Sequence, residues 1–147
     1  MFIDAQNLFS ENQAVTATAN STNVIDLGVA RDIGNGEDLY LMLAVTETMD
    51  DTGDNSTLAV TLLTDDNASL SSPTTVRTLV TFAANTPAGT VYYYKLNPQN
   101  DVALERYIGL TYTTANGDLS AGKFTAGLVA GIQKAEKYVA SGFMMTY

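Results

Sequence analysis

Short runs of Val, Leu, Ile, Tyr and Thr, cut about every ten residues by clusters of Gly, Asn, Asp and Pro, predict an all-β protein folded as a two-sheet sandwich. Residues 39–47 carry the clearest pattern. Leu39, Leu41, Leu43 and Val45 alternate with Tyr40, Met42, Ala44 and Thr46, so a strand here has one wholly aliphatic face and one mixed face. Thr is abundant throughout. Its branch at Cβ makes it stiff at χ1 and better suited to a pleated, half-exposed surface than to a helix.

In chain order, strands are predicted over residues 23–28, 39–47, 58–64, 75–82, 91–96, 106–114 and 122–132, with a weaker one over 14–19. In 58–64, Leu58, Val60 and Leu62 share one face and Ala59, Thr61 and Leu63 the other. Turn chemistry separates the strands at Gly34-Asn35-Gly36, at the acidic stretch from Asp50 to Asn55, at Ser71-Ser72-Pro73 and at Asn85-Thr86-Pro87. Asn116-Gly117-Asp118, between two strands, reads as a hairpin. Only residues 132–140, with Gln133-Lys134-Ala135-Glu136-Lys137, suggest helix, a turn or two near the C-terminus. About eight strands without an internal repeat or linker predict a single domain over residues 1–147, a jelly roll by preference, with an immunoglobulin-like sandwich as the competitor.

At 147 residues the chain is long enough to bury a core without help from metal or disulfide. It contains no Cys, His or Trp. Without His or Cys there is no Ser-His or Cys-His pair and no Cys-ligated zinc, so no enzyme activity and no cofactor are expected. The N-terminus carries no signal-type segment and no apolar run approaches the roughly 20 residues of a spanning helix, so synthesis without secretion and no membrane partner are expected. The Asn-X-Ser/Thr triplets at Asn20, Asn55 and Asn67 then read as polar turns.

The formal net charge is −9, and it is unevenly placed. Residues 1–66 hold twelve acidic side chains against Arg31 alone, whereas residues 67–147 hold four against six basic ones. Such a chain repels nucleic acid. The densest carboxylate group is Glu47, Asp50, Asp51 and Asp54, which Asp65 and Asp66 would approach across a hairpin. Converging oxygens of this kind suit Ca²⁺, although the spacing is not that of a helix-loop-helix site, and a solvated turn accounts for them as well. A glycosidase pair finds no Trp platform here. In Tyr92-Tyr93-Tyr94 the outer two share a face and Tyr93 points the other way, which predicts one inward ring between two surface neighbours or a contact patch.

Both chain ends are apolar: Phe2, Ile3, Leu8 and Phe9 at one, Phe143, Met144, Met145 and Tyr147 at the other. Termini are ordinarily polar and loose. These eight residues are the candidate protein contacts, as arms that dock on the domain itself or on a neighbouring subunit.

Met1-Phe2-Ile3-Asp4-Ala5-Gln6-Asn7-Leu8-Phe9-Ser10, Ser21-Thr22-Asn23-Val24-Ile25-Asp26-Leu27-Gly28, Gly36-Glu37-Asp38-Leu39-Tyr40-Leu41, Gly89-Thr90-Val91-Tyr92 and Arg106-Tyr107-Ile108-Gly109-Leu110-Thr111-Tyr112 resemble the phage capsid cement, or decoration, proteins typified by the Bordetella phage cement protein. The resemblance spans most of the chain. It implies a jelly roll, made in the host cytoplasm, that sits on the outer surface of an icosahedral virion. There it would bridge neighbouring major capsid protein subunits and stabilise the shell. It also implies a homodimer, or else a homotrimer, and offers no catalytic, cofactor or metal residue to carry over. The acidic half would face solvent and the weakly basic half the shell. A carbohydrate-binding or adhesion module, with or without calcium, is the alternative from another class.

Overall fold

A computed structural model describes residues 4–31, 33, 38–96 and 102–131. It contains a 3-10 turn over Ala5–Asn7 and nine strands: β1 (Leu8–Ala14), β2 (Ala19–Asn20), β3 (Ile25–Asp26), β4 (Leu39–Asp50), β5 (Thr57–Asp65), β6 (Thr74–Ala83), β7 (Val91–Lys95), β8 (Tyr107–Ala115) and β9 (Ala121–Ala130). They form two antiparallel sheets packed as a sandwich, one in the order β1-β9-β4-β7 and the other β2-β8-β5-β6, with β3 also against β8.

The pairing is nested. β5 pairs with β6, β4 with β7, β2 and β3 with β8, and β1 with β9. A long antiparallel ribbon rolled so that its successive pairs alternate between two sheets has this order, which is the jelly roll. β2 and β3 behave as one broken edge. Between them the Ser21 amide reaches Leu110 O at 2.8 Å and Ser21 Oγ accepts from Leu110 N at 3.1 Å, so a hydroxyl carries the ladder across the gap.

Alternation chooses the core as predicted. Leu41, Leu43 and Val45 from β4 meet Leu58, Val60 and Leu62 from β5 and Ile108, Leu110 and Tyr112 from β8, all at or near zero exposure. Each such aliphatic side chain contributes about 1.5–3 kcal/mol by leaving water. Phe124 from β9 fills the centre, its ring centroid 5.7 Å from Tyr112 and 5.9 Å from Phe82.

Four sequence expectations are corrected. Asn116-Gly117 does turn the chain, but β8 and β9 lie in different sheets, so it is a crossover and not a hairpin. Among the described strands β5 and β6 are the only sequence neighbours that pair. The first strand is β1 at Leu8–Ala14, ahead of the predicted 14–19. Its polar run Ser10-Glu11-Asn12-Gln13 hides it, because Ser10 faces inward as a hydrogen-bonding group. The predicted strand 23–28 shrinks to Ile25–Asp26. The acidic and basic halves do not occupy separate sides, since nesting sets early strands beside late ones. Asp26 pairs with Arg106, Asp38 with Lys95 and Glu47 with Lys123, each a first-half acid against a second-half base. The helix predicted over 132–140 lies outside the described residues.

Candidate contact surfaces and carboxylates

The acidic stretch that suggested a calcium site is dispersed by the topology. β4 and β5 belong to opposite sheets, so Asp65 sits at the far end of β5 from the 51–56 loop, about 26 Å along the strand. The carboxylates of the stretch are engaged one by one. Glu47 pairs with Lys123, Asp50 Oδ1 accepts from Asp51 N at 2.9 Å, and Asp54 Oδ1 accepts from Asn85 Nδ2 at 2.9 Å. Asp51 Oδ2 takes the Asn55 and Ser56 amides at 3.2 and 3.0 Å, which closes the loop over its own carboxylate.

A different trio converges instead. Asp65, Asp66 and Glu105 each bring one carboxylate oxygen to within 4.8 Å of the others. Glu105 is 40 residues away in sequence and no local signal announces it. It arrives because its amide donates to Thr64 Oγ1 at 2.7 Å. Asp65, 2 % exposed, accepts from Ser72 N at 3.0 Å and from Asn67 N at 3.2 Å, one on each oxygen. The Ser72 amide first, and the Asn67 and Asp66 groups after it, hold its carboxyl below the usual range against the opposing effect of desolvation. Asp65 thus ties down the loop between β5 and β6. Three carboxylates supply part of the six to eight oxygens that Ca²⁺ takes.

Of the eight candidate contact residues, Leu8 and Phe9 are described. Phe9 is 0 % exposed within the sandwich core, so its side chain is committed to this domain and not offered to a neighbour. Leu8, half-buried, lies on the opposite face with its Cδ2 over Gly127, where a Cβ would come within 3.0 Å. Phe2, Ile3, Phe143, Met144, Met145 and Tyr147 lie outside the described residues.

In β7 the tyrosines reverse the predicted arrangement. Tyr92 and Tyr94 pack against the core from the sheet edge, and Tyr93 faces outward. Tyr94 is held from the other sheet, with its hydroxyl 2.9 Å from Arg77 Nη1 and its ring 5.4 Å beneath the guanidinium. Among the described strands β6 and β7 are the outermost of their sheets. No helix among the described residues is long and apolar enough to cross a membrane.

A family model described as Bbp16 matches residues 9–128, from the second residue of β1 almost to the end of β9. The chain belongs to the Bbp16 family. Bbp16 is a family of Bordetella phage proteins, in keeping with a capsid-associated protein. The Bbp16 match contains the whole nested strand order. The apolar ends, Phe2, Ile3 and Leu8 on one side and Phe143, Met144, Met145 and Tyr147 on the other, fall outside it. No curated protein matches the chain in sequence.

Proposed function

We propose that this chain is a non-enzymatic structural protein of the virion that binds the outer surface of an icosahedral phage capsid, bridges neighbouring major capsid protein subunits and stabilises the shell. Membership of a phage family over residues 9–128, nearly the whole sandwich, is the observation that carries the reading. The surface chemistry supports it. The chain has seven Lys and Arg for an electrostatic attachment, and three of them, Lys95, Arg106 and Lys123, are paired with its own acids. Phe2, Ile3 and Leu8 add apolar side chains toward the N-terminal end of the sequence. Self-association as a homodimer, or a homotrimer, follows the commonest closed symmetries.

Capsids assembled without this protein provide the test. Mixing them with purified protein should give saturable co-sedimentation and a higher disruption temperature. Folded protein that stays in the supernatant at all ratios would refute capsid binding. Calcium-dependent adhesion, the second reading, is favoured by the Asp65, Asp66 and Glu105 trio. It requires that Ca²⁺ raise the melting temperature of the isolated protein.

A further inference from the structure

The turn between β8 and β9 has a backbone that narrows its sequence. Asn116 stands at φ +63° and Gly117 at φ +127°. Asn tolerates the first conformation, and glycine adopts the second without strain. A Cβ at 117 would also meet Ser56 Oγ at 3.2 Å. The fold thus favours an Asn-Gly pair here, and that pair carries a chemistry of its own. The amide nitrogen that follows an asparagine can attack the side-chain carbonyl carbon, and glycine, having no Cβ, leaves that nitrogen uncrowded.

Both reacting groups are open. Asn116 and Gly117 are exposed, and among the described residues neither the Asn116 side chain nor the Gly117 amide has a hydrogen-bond partner. Other asparagines are held at one end of the reaction or the other. The Ser21 and Ser56 amides, which follow Asn20 and Asn55, are donated to Leu110 O at 2.8 Å and to Asp51 Oδ2 at 3.0 Å. Asn85 gives its side-chain nitrogen to Asp54 Oδ1 at 2.9 Å. Of the two Asn-Gly pairs in the sequence, the other, Asn35-Gly36, lies outside the described residues.

We propose that Asn116 is a self-modification site, where the Gly117 nitrogen closes a succinimide ring that water then opens to aspartate or isoaspartate. The nucleophile forms when solvent base removes the Gly117 amide proton. Its lone pair makes a new bond to Asn116 Cγ; the bond from Cγ to Nδ2 breaks, and Nδ2 takes a proton from water and leaves as ammonia. Water then cleaves one of the two carbonyl–nitrogen bonds of the ring. Cleavage on the side-chain side leaves aspartate. Cleavage on the main-chain side leaves isoaspartate, whose backbone runs through Cβ and is one atom longer. The sum is asparagine plus water to a carboxylic acid plus ammonia, with nothing oxidised or reduced. Either product puts a new negative charge beside Asp118 in a chain already at −9, on the crossover that carries β8 of one sheet to β9 of the other. Because the ammonia departs, the change runs one way and its extent records the age of the molecule. This inference goes beyond the capsid reading and does not depend on it.

Incubation of the full chain at neutral pH, followed by mass spectrometry of its peptides, makes the test, with an isoaspartate-specific methyltransferase to tell the two products apart. Residue 116 should convert ahead of Asn20, Asn55 and Asn85 and yield both acids. Its rate should rise about tenfold for each unit of pH near neutrality, because the reactive form is the deprotonated amide. An intact residue 116 in the folded chain, over the time in which the urea-unfolded chain converts there, would overturn the proposal. So would aspartate without isoaspartate, which marks direct hydrolysis of the side chain and no ring.

Discussion

The Tyr112 hydroxyl, in the middle of the core, lies 2.8 Å from Ser10 Oγ on the facing sheet. Ser10 donates its one proton to Gln13 Oε1 at 2.7 Å, so the Tyr112 hydroxyl is the donor to Ser10. Gln13 continues outward, its Nε2 donating to Asn20 O at 2.8 Å and its Oε1 accepting from Thr22 N at 3.0 Å. A polar thread therefore runs from β8 through β1 to the broken edge at β2, and sets the register of a first strand that has few apolar residues of its own.

Cutting that thread should destabilise unequally at its two ends. Tyr112→Phe keeps the ring against Phe124 and loses one hydrogen bond, at a cost of about 1 kcal/mol. Ser10→Ala strands a buried hydroxyl donor and should cost about 1–3 kcal/mol. Urea unfolding, with midpoints shifted and slopes unchanged, measures both. A Ser10→Ala loss smaller than that of Tyr112→Phe would mean the hydroxyl finds another partner.

Alkali should act through the same residue. Burial pushes the Tyr112 hydroxyl from 10.0 up to about 12, with the Ser10 hydrogen bond opposing it. The folded state thus holds a proton that the unfolded state releases earlier. The associated stability is complete below pH 10, and is lost as pH rises toward about 12. Tyr112→Phe should flatten the fall in stability over that window, and spectrophotometric titration should show one tyrosine ionising late in the parent only.

At the acidic end, Arg106 donates Nε and Nη2 to the two oxygens of Asp26, each at 2.9 Å. That pair, with the Gly28 amide, lowers the Asp26 carboxyl from 3.8 to about 2. A depressed carboxylate contributes stability above its unfolded value, and the contribution disappears as pH falls from about 3.8 toward 2. Since the pair is exposed, solvent screens it and the melting temperature should barely respond to Arg106→Ala. The Asp26 titration followed by NMR should nevertheless move back toward 3.8. An unmoved titration would show that the Gly28 amide alone holds the carboxylate.

Gly109 admits Leu70 at a distance no other residue allows. A Cβ there would sit 2.6 Å from Leu70 Cδ1. Gly109→Ala should force Leu70 from its seat and cost about 1–3 kcal/mol. Leu70→Ala should cost a similar amount, and the double variant less than the two together, because the methyl of Ala at 109 occupies space that Leu70 vacates. Additive losses in the cycle would rule out their direct opposition.

For the capsid reading, attachment should survive about 1 M NaCl, where the Debye length falls to about 3 Å. Apolar and main-chain contacts tolerate that screening, whereas ion pairs weaken. Release from capsids in high salt at neutral pH would identify an electrostatic attachment instead.

Which residues face the core was written in the order of the chain. The alternation of Leu41, Leu43 and Val45 with Tyr40, Met42 and Ala44, and of Leu58, Val60 and Leu62 with Ala59, Thr61 and Leu63, assigns the faces of β4 and β5 because successive side chains on a strand must point to opposite sides. The turns at Asn85 and Asn116 were legible for a similarly local reason, the tolerance of Asn for positive φ, here 63° at both. The jelly-roll preference came from strand number. Which strand lies beside which was settled in three dimensions, because main-chain hydrogen bonds are the same whatever the side chains. Hence a turn that reads as a hairpin became a crossover, and the pairing of β1 with β9, distant in the chain, was invisible. The same long-range pairing brought Glu105 to Asp65 and Asp66, set first-half acids against second-half bases at Asp26–Arg106 and Glu47–Lys123, and made an apolar surface out of Leu8, Gly127, Met42 and Tyr93. A period of two determines a residue's side of the sheet, but only tertiary pairing determines its neighbours there.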